Sequence, residues 1–326
     1  MYTHLFGPVP SRRLGMSLGI DLVPKKVCSL NCVYCEVGKT DRLTIKQDEY
    51  ISEKEVKAEL LDYFKNNPDP DTFTFSGSGE PTLNNKIGPI IAFLKEHKPQ
   101  VNVAVLTNGT LLSLATLREA IVEADFVLPS LDAVSESAFK KINRPCPDID
   151  LQAYIEGLIA FRKLQLEREK QDGRKRRMDL EIFILPGYND AKEELDLFKK
   201  TILKIKPTSV QLNTLDRPGS VKHLVSASRI KLEDIVSYWG LDYVEIISAA
   251  PNRKKIQAYH GDIETAIVEM ISRRPCTLDD LSLSLGRHIS EINKYLDVLE
   301  SEGIITRKEE DRGTFYQLKN KGIEEV

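Results

Sequence analysis

The feature that most constrains the fold of this chain is a repeated alternation of short apolar runs with longer amphipathic stretches. Strands are predicted over Ser17–Val23, Thr72–Ser76, Val101–Leu106, Phe126–Leu131, Asp179–Leu185 and Ser209–Asn213, with a further one at Tyr243–Ile247. Helices are predicted between them, over Ser52–Asn67, Lys86–His97, Leu112–Glu123, Leu151–Gln171 and Ala191–Lys206. Alternation of this kind implies parallel strands joined by right-handed helical crossovers. The strand count fits an α/β fold with a partial or complete parallel barrel of six or more strands, a (β/α)6-type relative of the TIM barrel. A doubly wound open sheet is the structural alternative. At 326 residues the chain is long enough to bury a core without disulfide staples.

The periodicity changes near residue 262. From there the sequence reads as three helices followed by a hairpin. Thr277 is placed to cap a short helix that carries Leu281 and Leu285 inward, and Gly286 marks a turn. The third helix carries Ile289, Ile292, Leu296 and Leu299 at spacings of three and four and ends near Gly303. The last part, "GIITRKEEDRGTFYQL", is two strands around a charged tip with Gly313. This is the pattern of a winged helix-turn-helix, so the expected organisation is a barrel domain over residues 1–258 and a winged-helix domain over 259–326. Residues 262–326 hold nine Lys and Arg against fourteen Asp and Glu, a balance of −5, while the chain as a whole stands at −3. Duplex binding rests on neutralising phosphates, so DNA is a poor default partner for this module. Arg287, His288, Asn293 and Lys294 at the front of the third helix, with Arg307, Lys308 and Arg312 in the hairpin, are its candidate nucleic-acid contacts; a lid, a dimer contact or peptide docking is the equal alternative.

Three of the five cysteines, Cys28, Cys32 and Cys35, fall within "VCSLNCVYC", just after the first predicted strand. The N-terminal stretch has no apolar signal core, and the longest apolar runs, such as "VNVAVL", are strand-sized. A cytoplasmic, reducing compartment is therefore expected, with no membrane partner. There, clustered cysteines point to metal or redox chemistry rather than disulfides. A structural zinc needs a fourth ligand at matched spacing. No second cysteine pair exists, since Cys146 and Cys276 stand alone, and the five His residues are scattered. Three thiolates suit a four-iron cluster with one iron left open to an outside ligand, as catalytic metal sites keep a position open.

The spacing Cys28-x3-Cys32-x-Tyr34-Cys35 resembles the signature of the radical S-adenosylmethionine superfamily. The resemblance extends over about residues 5–255. It implies a [4Fe-4S] cluster held by the three cysteines, with S-adenosylmethionine chelating the open iron and Tyr34 beside its adenine. Reduction would cleave the cofactor to a 5′-deoxyadenosyl radical that takes a hydrogen atom from a substrate. The second strand runs into "FSGSGEPTL", similar to the family's glycine-glycine-glutamate motif. Gly77, Gly79 and Glu80 are thereby expected at the methionine amino group, with Ser78 replacing one glycine. The third strand is followed by Asn108, and the fourth ends at Ser130 and Asp132, matching ribose and carboxylate contacts. Ile184, Leu185 and Pro186 match a stretch passing the adenine. Each motif falls at the carboxyl end of a predicted strand, the face on which parallel barrels build active sites. The opening "FGPVPSRRLGMSLGIDLVPKKVC" is most similar to an iron–sulfur oxidoreductase subgroup near the wybutosine-synthesis enzymes.

Candidate substrate-side residues are Arg217, Asn213 and Arg144, with Gln211 on the same strand as Asn213 and Arg12, Arg13 and Arg253 as further anion binders. Cys146 reads as a small buried residue. The basic run "GRKRRMD", from Arg174 to Arg177, reads as a solvated loop on the face away from the chemistry. The resemblance implies an enzyme reduced by a flavodoxin or ferredoxin. Its first expected substrate is an RNA base in tRNA, and a small metabolite or peptide comes second. A reading of another class is a redox-sensing transcription regulator, which the acidic C-terminal module disfavours.

Overall fold

The computed structural model describes residues 2–319 apart from 12, 217, 218, 222, 248–262, 288 and 311. Arg12, Arg217, Arg253, His288 and the boundary expected between residues 258 and 259 thus lie outside the described residues, as does the side chain of Lys294.

The main sheet has eight strands. In chain order the first two are β1 (Leu5–Ser11) and β2 (Gly15–Ile20), and a short pair β3 (Val27–Cys28) and β4 (Arg42–Leu43) stands apart from the sheet. The sheet continues with β5 (Thr72–Phe75), β6 (Asn102–Thr107), β7 (Phe126–Pro129), β8 (Arg177–Phe183), β9 (Ser209–Asn213) and β10 (Val244–Ile246). Their spatial order is β1-β2-β5-β6-β7-β8-β9-β10, so neighbours in the sequence are neighbours in the sheet. From β2 to β10 every pairing is parallel, and only β1 runs antiparallel. Helices α1 (Glu53–Asn66), α2 (Ile87–His97), α3 (Ala115–Ile121), α4 (Glu136–Ile142), α5 (Leu151–Asp172), α6 (Lys192–Ile205) and α7 (Arg229–Trp239) supply the crossovers.

The predicted strands are all present, within a few residues at each end, because their β-branched and apolar residues are covered by the helices on one side and the barrel interior on the other. All four residues of β5 are buried. Phe73, Phe75, Leu18, Ile20, Val103 and Val127 are inaccessible to solvent, each stabilising the sheet by roughly 1.5–3 kcal/mol. Strand β1 was not predicted. Its "LFGPVPS" carries two prolines, which argue against a central strand but are tolerated at an edge. The sheet leaves β1 and β10 as edges, yet the β1–β2 turn reaches β8 and β9: Arg13 Nη1 donates to Glu181 Oε2 at 2.6 Å and to Gln211 Oε1 at 2.7 Å. Contact between strands so far apart in the order requires a strongly curled sheet, which is the geometry of a partial barrel.

The basic run is solvated at Arg174, Lys175 and Arg177, as expected, but not at Arg176. Arg176 is fully buried, donating to the Val122 carbonyl at 2.9 Å and bonding Asp172 and Glu123. Asp172 stands only four residues before it, but Glu123 and the Val122 carbonyl come from the turn after α3, more than fifty residues away in sequence.

The C-terminal residues form α8 (Ile263–Arg273), β11 (Cys276–Thr277), α9 (Leu278–Leu285), α10 (Ile289–Ser301), β12 (Ile305–Glu310) and β13 (Gly313–Leu318), with sheet order β11-β13-β12. Thr277 and Asp280 make a reciprocal capping box at the start of α9. This unit has its own core through Ile267, Leu281, Ile292, Leu296, Leu299 and Ile305. Ile289, expected inside, is exposed at the first turn of α10.

Candidate active site

The cysteine loop leaves the carboxyl end of β2 and lies across the carboxyl ends of β5, β6 and β7. Two backbone bonds tie it to the Gly77–Glu80 turn: Lys26 N–H donates to Ser78 O at 2.8 Å, and Glu80 N–H donates to Val27 O at 3.0 Å. That close approach explains the glycines. Gly77 has φ +128°, and a Cβ there would strike the Asp21 carboxylate; a Cβ on Gly79 would strike the Val27 carbonyl. The glycines therefore admit the cysteine loop itself.

Glu80 is buried and makes four hydrogen bonds within the chain. Its Oε1 accepts from Thr82 N–H at 3.0 Å, Thr82 Oγ1 at 2.6 Å and Thr107 Oγ1 at 2.6 Å, and Oε2 accepts from Asn108 N–H at 2.7 Å. Burial pushes its carboxyl above the usual range, and these donors oppose the shift. Asn108 in turn donates from Nδ2 to Ser29 Oγ at 2.8 Å and to Cys28 Sγ at 3.5 Å.

A second relay mirrors the first. Asp132 is buried; its Oδ1 accepts from Phe183 N–H at 3.0 Å, and its Oδ2 accepts from Asn143 Nδ2 at 2.8 Å and from the Tyr34 hydroxyl. Asn143 Nδ2 also donates to Cys32 Sγ at 3.4 Å. Each of two cysteine sulfurs thus faces an asparagine amide that a buried carboxylate helps to orient. Tyr34 stacks on Phe183, with ring centroids 3.9 Å apart and an interplanar angle of 9°. Ser130 accepts from the Tyr154 hydroxyl through its carbonyl. Leu185 is buried, and its N–H donates to Asn189 Oδ1 at 2.8 Å.

Asn143, Asn189 and Tyr154 were not predicted. Asn189, fully buried, also donates to the Asp132 and Phe183 carbonyls at 2.8 and 2.6 Å. The local signal for it was "PGYND", a polar cluster closing a strand. Asn143 had no signal, because its role depends on the bridge between Leu30 and Pro145 that lays its segment along the cysteine loop.

Of the substrate-side candidates, Gln211 and Asn213 lie in one network. Asn213 Nδ2 donates to Glu181 Oε1 at 2.9 Å, on the same carboxylate that Arg13 meets. Arg144 lines a shallow cleft outside this network, with Asn31, Leu43 and Cys146. Cys146 is buried, as expected.

Two consequences follow from the buried carboxylates. Glu80→Ala strands four donors, most of them buried, and is expected to lower stability by roughly 3 kcal/mol or more, since each orphaned donor costs about 1–3 kcal/mol. Urea unfolding reads this directly; an unchanged midpoint would mean that these donors find other acceptors. Asp132 behaves differently. Burial pushes its carboxyl from 3.8 up to about 6 against its three donors. A folded value above the unfolded one means that the folded state holds the proton more tightly. The group therefore adds stability below about pH 4 that is lost as pH rises through about 6, roughly 3 kcal/mol in all. Unfolding between pH 4 and 7 should show this slope in the wild type and a flatter one in Asp132→Asn; equal slopes would remove Asp132 as its source.

The C-terminal unit docks on the same face. Arg273 donates to Asp21, which follows β2, and its guanidinium lies 3.9 Å from the Phe6 ring centroid. Lys25 Nζ donates to Ser272 O at 2.9 Å, Arg274 lies 4.0 Å from Glu36, and Arg312 pairs with Asp216 and Asp280. Arg307 is held by Glu300 and Asp297. No helix among the described residues is long and apolar enough to cross a membrane.

Residues 22–198 match the Radical SAM superfamily. A Brachyspira hyodysenteriae protein named GTPase Obg is 35% identical over 307 residues, which is 92% of this chain and 43% of that protein; the chain thus spans less than half of that relative's length. A UPF0026 protein of Helicobacter pylori (strain J99) is 31% identical over 318 residues, 96% of both chains. Among solved structures, Streptococcus suis SuiB bound to S-adenosylmethionine aligns with a TM-score of 0.50 at 13% identity, covering 70% of this chain and 49% of that one, a likeness of fold.

Proposed function

The chain belongs to the Radical SAM superfamily, and on that premise we propose that it is an enzyme whose Cys28, Cys32 and Cys35 hold a [4Fe-4S] cluster at the carboxyl face of the sheet. Members of the superfamily bind this cluster and S-adenosylmethionine, and the bound pair, on reduction by a carrier such as flavodoxin or ferredoxin, supplies a 5′-deoxyadenosyl radical that abstracts hydrogen. The observation that carries the reading is the pair of relays, Glu80–Asn108–Cys28 and Asp132–Asn143–Cys32, which fix two sulfurs against rigid strand ends.

The donor set fits the cluster. Burial pushes the Cys28 thiol up to about 12 and the Cys32 thiol well above its ordinary value. Thiols in such a setting ionise only against a cation, which bound iron supplies. The three thiols lie within electrostatic reach of one another, as ligands of one group must.

The chain's own residues have separate tasks. Gly77, Ser78, Gly79 and Glu80 shape the turn at the amino-group side of the cofactor, with the Glu80 side chain acting as the anchor of that turn. Tyr34, Ser130, Asp132 and Leu185 surround the adenosine side, with Asn108 between the two. Arg13, Glu181, Gln211 and Asn213 line the barrel interior where a substrate C–H bond would be held and water excluded. The α8–β13 unit is read as a winged helix that covers the mouth of the barrel. Two of the cations that an RNA backbone would need there, Arg307 and Arg312, are engaged in ion pairs. The geometry therefore favours a small polar substrate within the barrel over tRNA, and it lends nothing to a redox-sensing regulator. Anaerobic incubation with S-adenosylmethionine, a reductant and fractionated cell extract tests this. 5′-Deoxyadenosine formation coupled to a small-molecule fraction is expected; coupling to the tRNA fraction would overturn the substrate assignment.

A further inference from the structure

This inference rests on the assignment of the three cysteines to a cluster and concerns a residue outside the family-like motifs. Lys26 precedes Cys28 by two positions. Its side chain is buried, and its Nζ has no hydrogen-bond partner among the described residues. Its backbone is in the left-handed region at φ +68°, rare for a residue with a side chain and a form of strain that persists where surrounding structure enforces it. The enforcement is visible. Lys26 N–H is held by Ser78 O, and Lys26 O accepts from Asp41 N–H and Arg42 N–H, both at 3.1 Å. The ammonium then lies under Gly38, where a Cβ would sit 3.4 Å from Nζ, within electrostatic reach of Cys35 and Cys28.

An ammonium buried without a partner is costly, because burial removes its hydration and leaves its donors unused. Asp41 is near enough to be felt but makes no bond to it. Asparagine amides already serve Cys28 and Cys32, and among the described residues no corresponding amide faces Cys35. We propose that Lys26 supplies the third N–H donor, to sulfur at the Cys35 edge of the cluster, and that its positive charge favours the reduced state. Cluster potentials respond to hydrogen bonds on the sulfurs and to nearby charge. A bound cluster in this position gives the ammonium the partner that the polypeptide does not.

The test uses the full-length protein reconstituted anaerobically, with iron content counted first and the midpoint potential then measured by EPR-monitored titration. Lys26→Met is expected to hold a full cluster that is about tenfold harder to reduce, which is about 59 mV for a one-electron couple. Lys26→Arg, which keeps the charge, and Lys39→Met, which removes an exposed charge beside the same loop, should both stay near the wild-type potential. A fully loaded Lys26→Met with an unshifted midpoint overturns the proposal, as does an equal shift in Lys39→Met. Should Lys26→Met fail to assemble, the wild type labelled with 15N-lysine decides. A nitrogen coupling to the reduced cluster is expected and should vanish in Lys26→Arg; its absence from the wild type overturns the proposal. A wild type that binds no cluster at all would overturn the underlying assignment as well, which separates the two failures.

Discussion

Replacing any one of Cys28, Cys32 or Cys35 by alanine is expected to leave a folded protein that no longer cleaves S-adenosylmethionine. None of the three is a core residue, although the Cys28 and Cys32 sulfurs point inward, so truncation to alanine costs little packing compared with a core substitution. What is lost is one of three thiolates on a cluster that has no spare cysteine, and the expected loss is complete rather than graded. Cys146→Ala and Cys276→Ala are the controls. Cys146 is buried beside the loop with its N–H donating to Ser29 O at 2.9 Å, and Cys276 sits in the separate C-terminal core. Each should cost about 1 kcal/mol of packing and keep both iron and cleavage. Iron content and 5′-deoxyadenosine formation read the outcome, with circular dichroism confirming the fold. A folded Cys276→Ala protein without iron would sink the ligand assignment, because it would place a cluster ligand in the wrong core.

The second large effect concerns the C-terminal unit. A protein ending near residue 262 should retain the cluster and slow, uncoupled cofactor cleavage but lose turnover of the true substrate. The two hydrophobic cores are separate, so the barrel keeps its own packing. The docking contacts are polar: Arg273 on Asp21, Lys25 on the Ser272 carbonyl, Arg274 near Glu36 and Arg312 on Asp216. Their loss uncovers the carboxyl face and admits water where the radical chemistry requires its exclusion. Asp21 is the residue most affected, since burial already pushes its carboxyl up and Arg273 is the main group opposing that. If the shortened protein turned over substrate as well as the full chain, the unit would belong to regulation or assembly and not to the site.

The local signals that survived are those whose physics is local. Ser209–Asn213 is a strand of the predicted extent: Val210 and Leu212 alternate with Ser209, Gln211 and Asn213, the period of two that a strand imposes, and both apolar residues are inaccessible to solvent. The Thr277 cap is present because Asp280 stands three residues on, a spacing that one helical turn imposes. The cysteine spacing placed a candidate metal site at the carboxyl end of β2, and each motif after it came at a strand end because the alternation of strands and helices puts every β-to-α loop on one face.

What the sequence could not determine is which partner each group meets. The glycines of the Gly77–Gly79 turn suggested room for a ligand, but they admit the Val27 carbonyl and the Asp21 carboxylate. Glu80 suggested a free acceptor, but closure of β5 on β6 brings Thr107 and Asn108 onto it. Arg176 looked solvated until the turn after α3 and the end of α5 delivered Glu123 and Asp172 to it. Ile289 fitted the inward stripe of α10 by spacing, yet it is exposed, because it stands at the first turn of the helix, ahead of the part that the C-terminal core covers. Asn143 and Lys26 carried no pattern at all. Their positions depend on segments separated by about a hundred or by about fifty residues, which meet only once the sheet has curled. Periodicity and capping are interactions within a few residues, and they are written along the chain. Burial, charge pairing and the donors around the sulfurs arise from long-range closure, and only the folded barrel decides them.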